Sequence, residues 1–157
     1  MGRMYSIEFA DVAVTAAQDL FSFKPLDDRP VILHAVFITQ NSDVADAAEE
    51  MLTVKIIRGA ATVGSGGSNP TARPLDSTDA AFGPTTNVRA NDTTETSGGT
   101  PLDMHSEAFN IRTGWAYIPT PEMRIRTDEG DGFLAVALIT VPADSLTMSG
   151  TMYVEEL

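Results

Sequence analysis

The sequence predicts an all-β, single-domain β-sandwich of jelly-roll type with about eight to ten strands. Three observations lead there. Short apolar runs recur along all 157 residues. Gly, Pro, Asn and Asp separate them, the residues that punctuate turns. Several runs alternate apolar and polar side chains with the period of two that marks a half-buried strand, and no long helical pattern competes.

The elements follow in order. Residues 4–9 alternate Tyr5, Ile7 and Phe9 with Ser6 and Glu8. Residues 11–15 alternate again around Val12 and Val14, and Leu20, Phe21 and Phe23 make a third run that stops at Lys24-Pro25. Asp27-Asp28-Arg29-Pro30 reads as a turn before the ten residues Val31 to Gln40. Both faces of that run are largely apolar, which predicts a strand covered on both sides. Residues 41–50 read as one helical turn or an acidic loop, with Asp43, Asp46, Glu49 and Glu50. Residues 51–58 return to a strand pattern. Residues 59–101 form a long irregular centre, predicted to hold at most two short strands, the better one at residues 85–90. Loops of this length are usually functional or disordered. Candidate strands follow at residues 102–111, 114–118 and 123–126, then an acidic turn at 127–132. A strongly apolar strand at 132–141 is broken by Pro142-Ala143-Asp144, and residues 145–155 form a last strand.

Bulk composition narrows the function classes. At 43% hydrophobic the chain has enough apolar material for a real core. It has no Cys, which excludes disulfides and thiolate sites. The longest apolar stretch, residues 133–139, is far short of a membrane span. Residues 1–10 lack a continuous apolar core, so no signal peptide is expected, and synthesis in a cytoplasm-like compartment is. A net charge of −12, with ten scattered Lys and Arg, opposes non-specific nucleic-acid binding.

Candidate chemistry is sparse. Gly64-Ser65-Gly66-Gly67-Ser68 lacks the Lys of a phosphate-binding loop and runs into Asn69-Pro70, so it reads as a surface loop. Asp128-Glu129-Gly130-Asp131-Gly132 fails the spacing of a calcium loop and reads as a turn, with a calcium ion between subunits as the alternative. His34 and His105 each fall within a strand pattern, as packed or interfacial side chains or as general acid–base groups. A His34 buried at a subunit contact would make assembly depend on pH. No nucleophile elbow and no paired-carboxylate motif accompanies them, so no catalytic residue, cofactor or metal ligand is assigned. Trp115 and Tyr117, near Pro119 and Pro121, suit a sugar-binding platform, a core cluster or interface anchors. The Asn91-Asp92-Thr93 sequon reads as chance.

Three stretches carry a resemblance. They are the opening from Tyr5-Ser-Ile-Glu-Phe to Asp19-Leu20-Phe21; the run from Pro30-Val31 through Gln40, Asp43, Glu49-Glu50 and Ile56-Ile57-Arg58-Gly59 to the Gly64–Ser68 loop; and the close from Pro142-Ala143-Asp144-Ser145-Leu146 through Thr151 to Val154-Glu155-Glu156-Leu157. Together they resemble a family of small structural proteins of tailed bacteriophages and prophages. Residues 72–101 are least distinct. The resemblance implies a virion component: a non-enzymatic capsid decoration (cement) protein on the outer surface of the head. It implies a homotrimer whose partner is the major capsid protein, with no nucleic acid and no membrane involved. The alternatives are a tail- or fibre-associated receptor-binding module and a carbohydrate-binding β-sandwich. The expected interface residues are Tyr5, His34, Trp115 and Tyr117, with residues 59–101 or the arm at residues 1–5 reaching the neighbour.

Overall fold

The computed structural model describes residues 2–42, 49–84 and 87–157. Its strands are β1 (Arg3–Val14), β2 (Gln18–Phe23), β3 (Val31–Gln40), β4 (Met51–Ala60), β5 (Arg73–Pro74), β6 (Val88–Asp92), β7 (Leu102–Asn110), β8 (Trp115–Tyr117), β9 (Arg126–Thr127), β10 (Phe133–Leu138) and β11 (Leu146–Glu156). They form two antiparallel sheets. One runs β5-β1-β11-β3-β8, with β9 also pairing β3; the other runs β6-β2-β10-β4-β7. Among the described residues these eleven strands exceed the eight to ten expected; with β5, β6 and β9 set aside as additions at the sheet edges, the remaining eight strands order as first, eighth, third, sixth and as second, seventh, fourth, fifth. That is the two-Greek-key wrap of a jelly roll, as the strand spacing predicts.

Alternation builds the core between the sheets. Tyr5, Ile7 and Phe9 of β1, Leu33 and Ile38 of β3, Met152 and Val154 of β11, and Leu52, Val54 and Ile56 of β4 all lie in one buried apolar cluster. β2 and β10, central in their sheet, are buried at all six positions each. Gly150 is required on β11: a Cβ there would stand 2.7 Å from the Phe9 ring and 2.8 Å from Ile38.

Several local expectations change. The two runs at residues 4–9 and 11–15 are one strand. The pairing of β1 with β11 slips between Phe9 and Val12, and Asp11 adopts φ 54° in the bulge. β3 has the predicted bounds but is not covered on both sides. Val31, Leu33, Val36 and Ile38 are buried, whereas Phe37 and Thr39 face solvent. The candidate strand at 123–126 is instead a 3-10 turn, Pro121–Met123, followed by β9. The acidic turn is a second 3-10 turn, Glu129–Asp131, closed by reciprocal bonds between the Asp128 and Asp131 side chains and each other's backbone N–H. The choice between helical turn and loop at 41–50 falls largely on residues 43–48, outside the described residues. So do Thr85 and Thr86 of the strand expected at 85–90; β6 begins at Val88.

Residues 59–101 hold two short strands among the described residues, the number allowed for. This segment ends β4 and then adds a strand to each sheet on the same side of the sandwich. β5 pairs β1 and β6 pairs β2. Phe82, buried, enters the core with its ring centre 4.9 Å from Tyr5 and 6.4 Å from Phe23. The glycine-rich stretch makes a close approach to residues 90–94. Ser65 and Ser68 bridge Thr94 and Ala90, and a Cβ on Gly67 would stand 2.0 Å from the Ala90 carbonyl oxygen. The segment is a built part of the fold.

Candidate interaction surface

On the opposite side, β7 ends its sheet and the three-residue β8 ends the other. β7 is nine residues long and mostly exposed, and it carries Met104 as the extra residue of a bulge against Ile56 and Ile57. A bulge and flanking charges are the usual protection of an edge strand. Here Asp103 and Glu107 supply the charges, and Asp103 pairs with Lys55 at 2.6 Å.

Between these two edges the mouth of the sandwich is closed by an aromatic and polar cluster. The Trp115 and Tyr117 rings stack with centres 6.2 Å apart, and the His105 ring stands 4.8 Å from that of Tyr117. One oxygen of Glu107 accepts from Trp115 Nε1 at 2.9 Å and from His105 Nε2 at 3.1 Å. These two bonds, Trp115 first, hold the Glu107 carboxyl below the usual carboxylate range. Tyr117 donates to the Met123 carbonyl, and burial raises its phenol. Outside the cluster lies a groove of about 420 Å³ whose walls include Met104, Tyr117, Ile118 and Met123. Ile118 and Met123 are 68% and 63% exposed, and Leu102 and Met104 extend the apolar surface along β7.

The expected interface residues divide accordingly. Tyr5 is corrected to core: it is fully buried, and its hydroxyl donates to the Ala80 carbonyl at 2.8 Å. Trp115 and Tyr117 are buried, so they form the wall behind the groove and present no open platform for a sugar ring. His34 lies elsewhere, half-buried on β3, in the sheet that holds β8 and opposite the one that holds His105, 2.7 Å from Glu155. Burial pushes the Glu155 carboxyl up. Bonds from His34 and the Gly2 N–H outweigh that and leave it below its ordinary value. The two histidines therefore sit on different sheets, each with its own carboxylate. The arm expected at residues 1–5 is part of β1 from Arg3 onward, paired with β11. The side chains that shape the groove, Met104, Glu107, Ile118 and Met123, were not singled out in sequence. Nothing in alternation marks an edge strand as an edge.

Other polar features are internally neutralised. A cavity of about 560 Å³ lies at one end of the sandwich by Lys24, Arg58, Glu129 and Asp131. Lys24 pairs with Glu129 at 2.9 Å, and Arg58 reaches the Arg126 carbonyl at 2.8 Å and Asp131 at 4.0 Å. Among the described residues no group of three or more His, Asp or Glu is placed to hold a metal ion. No helix is long and apolar enough to cross a membrane among the described residues.

Comparison of the chain with protein-family models, with curated proteins and with solved structures finds no match.

Proposed function

We propose that this chain is a non-enzymatic structural protein of a tailed-bacteriophage particle: a capsid decoration protein that self-associates, as a homotrimer, on the outer surface of the head. The phage assignment rests on the resemblance carried by three stretches, residues 5–21, 30–68 and 142–157. The observation that best supports a binding role is the open side of the sandwich. A nine-residue edge strand beside a preformed groove, with Met104, Ile118 and Met123 at the surface, is a patch that marks a contact site on an otherwise soluble domain. The sealed core behind it supplies rigidity, so little ordering entropy opposes binding. A charge of −12 keeps free copies apart until they meet a lattice.

The test is co-sedimentation with undecorated heads of the phage that carries the gene. The expected result is saturable binding in a fixed ratio to the major capsid protein, with heads that resist heat better when decorated. Binding to tails or to host glycan, with none to heads, would move the protein to the receptor-binding reading.

A further inference from the structure

The sheet that ends in β8 ends at its other side in β5. At β5 the chain presents a fixed knob. Leu75, which follows β5, is 57% exposed, yet its backbone N–H is tied to the Met4 carbonyl at 2.8 Å. Beside it Arg73 sits in register with Ser6 on the edge of β1, exposed and without an ion pair among the described residues. At β8 the chain presents a socket: the groove between Met104, Ile118 and Met123, floored by Tyr117. Glu107 lines it, bonded to His105 at 3.1 Å, and Glu122, exposed, stands on the turn that also carries Met123, two residues before Arg124. An apolar knob flanked by Arg73 and Asp76 thus occupies one edge, and an apolar socket bordered by Glu107, His105 and Glu122 occupies the opposite edge.

We infer that the open edge binds a second copy of this chain, taking that copy's Arg73–Leu75 corner into the Ile118–Met123 groove. Leu75 fills the apolar walls, and Arg73 meets Glu107 and Glu122. Because knob and socket lie on opposite edges, the contact is head-to-tail. Each copy gives one and takes one, and repetition closes a ring when the rotation permits. Two identical edges pairing about a two-fold axis would leave the knob unused. The inference rests on the self-associating half of the proposed function and does not require a capsid.

Light scattering on purified protein over a range of concentrations tests it. The native chain is expected at a fixed multiple of 16.7 kDa. Leu75→Asp and Ile118→Asp each replace an exposed side chain, so both should fold, with native circular dichroism and melting, and both should run at the mass of one chain. Mixed together they should form a pair of twice 16.7 kDa, because the Leu75→Asp copy keeps its socket and the Ile118→Asp copy keeps its knob. Arg73→Glu should dissociate the assembly, and adding Glu122→Arg should restore it. A native monomer at every concentration overturns the inference. So does an oligomer that survives both apolar substitutions, or a mixture of the two variants that stays monomeric. Head binding is measured separately, so loss of the ring and loss of the capsid reading are distinct results.

Discussion

On the β1/β2 side of the sandwich, residues 61–101 extend both sheets and drive an aromatic ring between them. On the β7/β8 side the sheets simply stop. The sealed side is held by burial: Phe82 against Tyr5 and Phe23, and a set of polar groups that are themselves buried. Asp92, fully buried, is met by Arg89 at 2.5 Å and by the Gly67 N–H at 2.9 Å. Asp19, directly opposite it in the β2–β6 register, accepts from the Thr96 N–H at 2.7 Å. Gly83 donates to the buried Glu156 at 2.9 Å. The open side is held by less: one carboxylate, Glu107, bonded to Trp115 and His105 beside solvent. The contrast teaches that the long insertion serves the fold and offers only its Arg73–Leu75 corner for contact, while the shorter side leaves a whole edge open. Buried polar groups bonded in this way fix one arrangement; Ser22 Oγ, Asn91 Nδ2 and Glu156 Oε2 lie there without a hydrogen bond to another described residue. An exposed apolar rim is only worthwhile if something covers it.

The sharpest way to break this contrast is Phe82→Ala. Removing a buried ring from a packed core should cost about 3–5 kcal/mol, read as a lower urea midpoint. A loss below about 1 kcal/mol, within the range of surface changes plus a small relaxation, would mean that residues 61–101 lie on the core without belonging to it.

Asp19 gives the next effect, and it depends on pH. Burial pushes its carboxyl up to about 6, against the pull of the Thr96 N–H, with Glu95 and Asp92 adding to the rise. The folded state therefore holds this proton more tightly than the unfolded one. The stabilisation it contributes is full below about 4 and is lost as pH rises through about 6, an effect on the order of 3 kcal/mol. Asp19→Asn keeps an acceptor for Thr96 and removes the titration. Relative to the native chain, the variant should gain stability between pH 4.5 and 7.5. Parallel urea midpoints at both pH values would refute a proton-linked anchor on the sealed side.

On the open side Trp115→Phe keeps one aromatic ring, deletes the bond to Glu107 and leaves the rest of the buried indole's volume empty. Stability should fall by about 1–3 kcal/mol, and the Glu107 carboxyl should titrate closer to its ordinary range. A larger loss of stability would show the open side to be as integral as the sealed one.

Much of the frame was legible in the sequence because alternation and turn residues are local signals. Val31 to Gln40 matches β3 at both ends, and the apolar run at 132–141 contains β10. What was not legible depends on non-local pairing. No local pattern says that Arg73 will sit beside Ser6, or that Gly67 must lie against Ala90, so the centre read as irregular. Alternation puts Tyr5 on the apolar face of its strand and leaves a core place as one reading of Trp115 and Tyr117, but it does not decide between core and interface. Each sits in a good strand pattern, but which face is covered depends on strands and loops far away in sequence. The open edge was hidden for the opposite reason. β7 has an ordinary strand pattern, and its missing partner is a property of the topology.

Hydrogen exchange at two protein concentrations tests the central claim most directly, that one side is closed by the chain itself and the other by a partner. Peptides spanning β6 and Phe82 should be protected equally at both concentrations. Peptides covering residues 102–110 and 115–123 should exchange quickly when dilute and slow markedly when concentrated. If those peptides exchange at one rate at both concentrations while the sealed side stays protected, the open edge has no partner among its own copies and the account is contradicted.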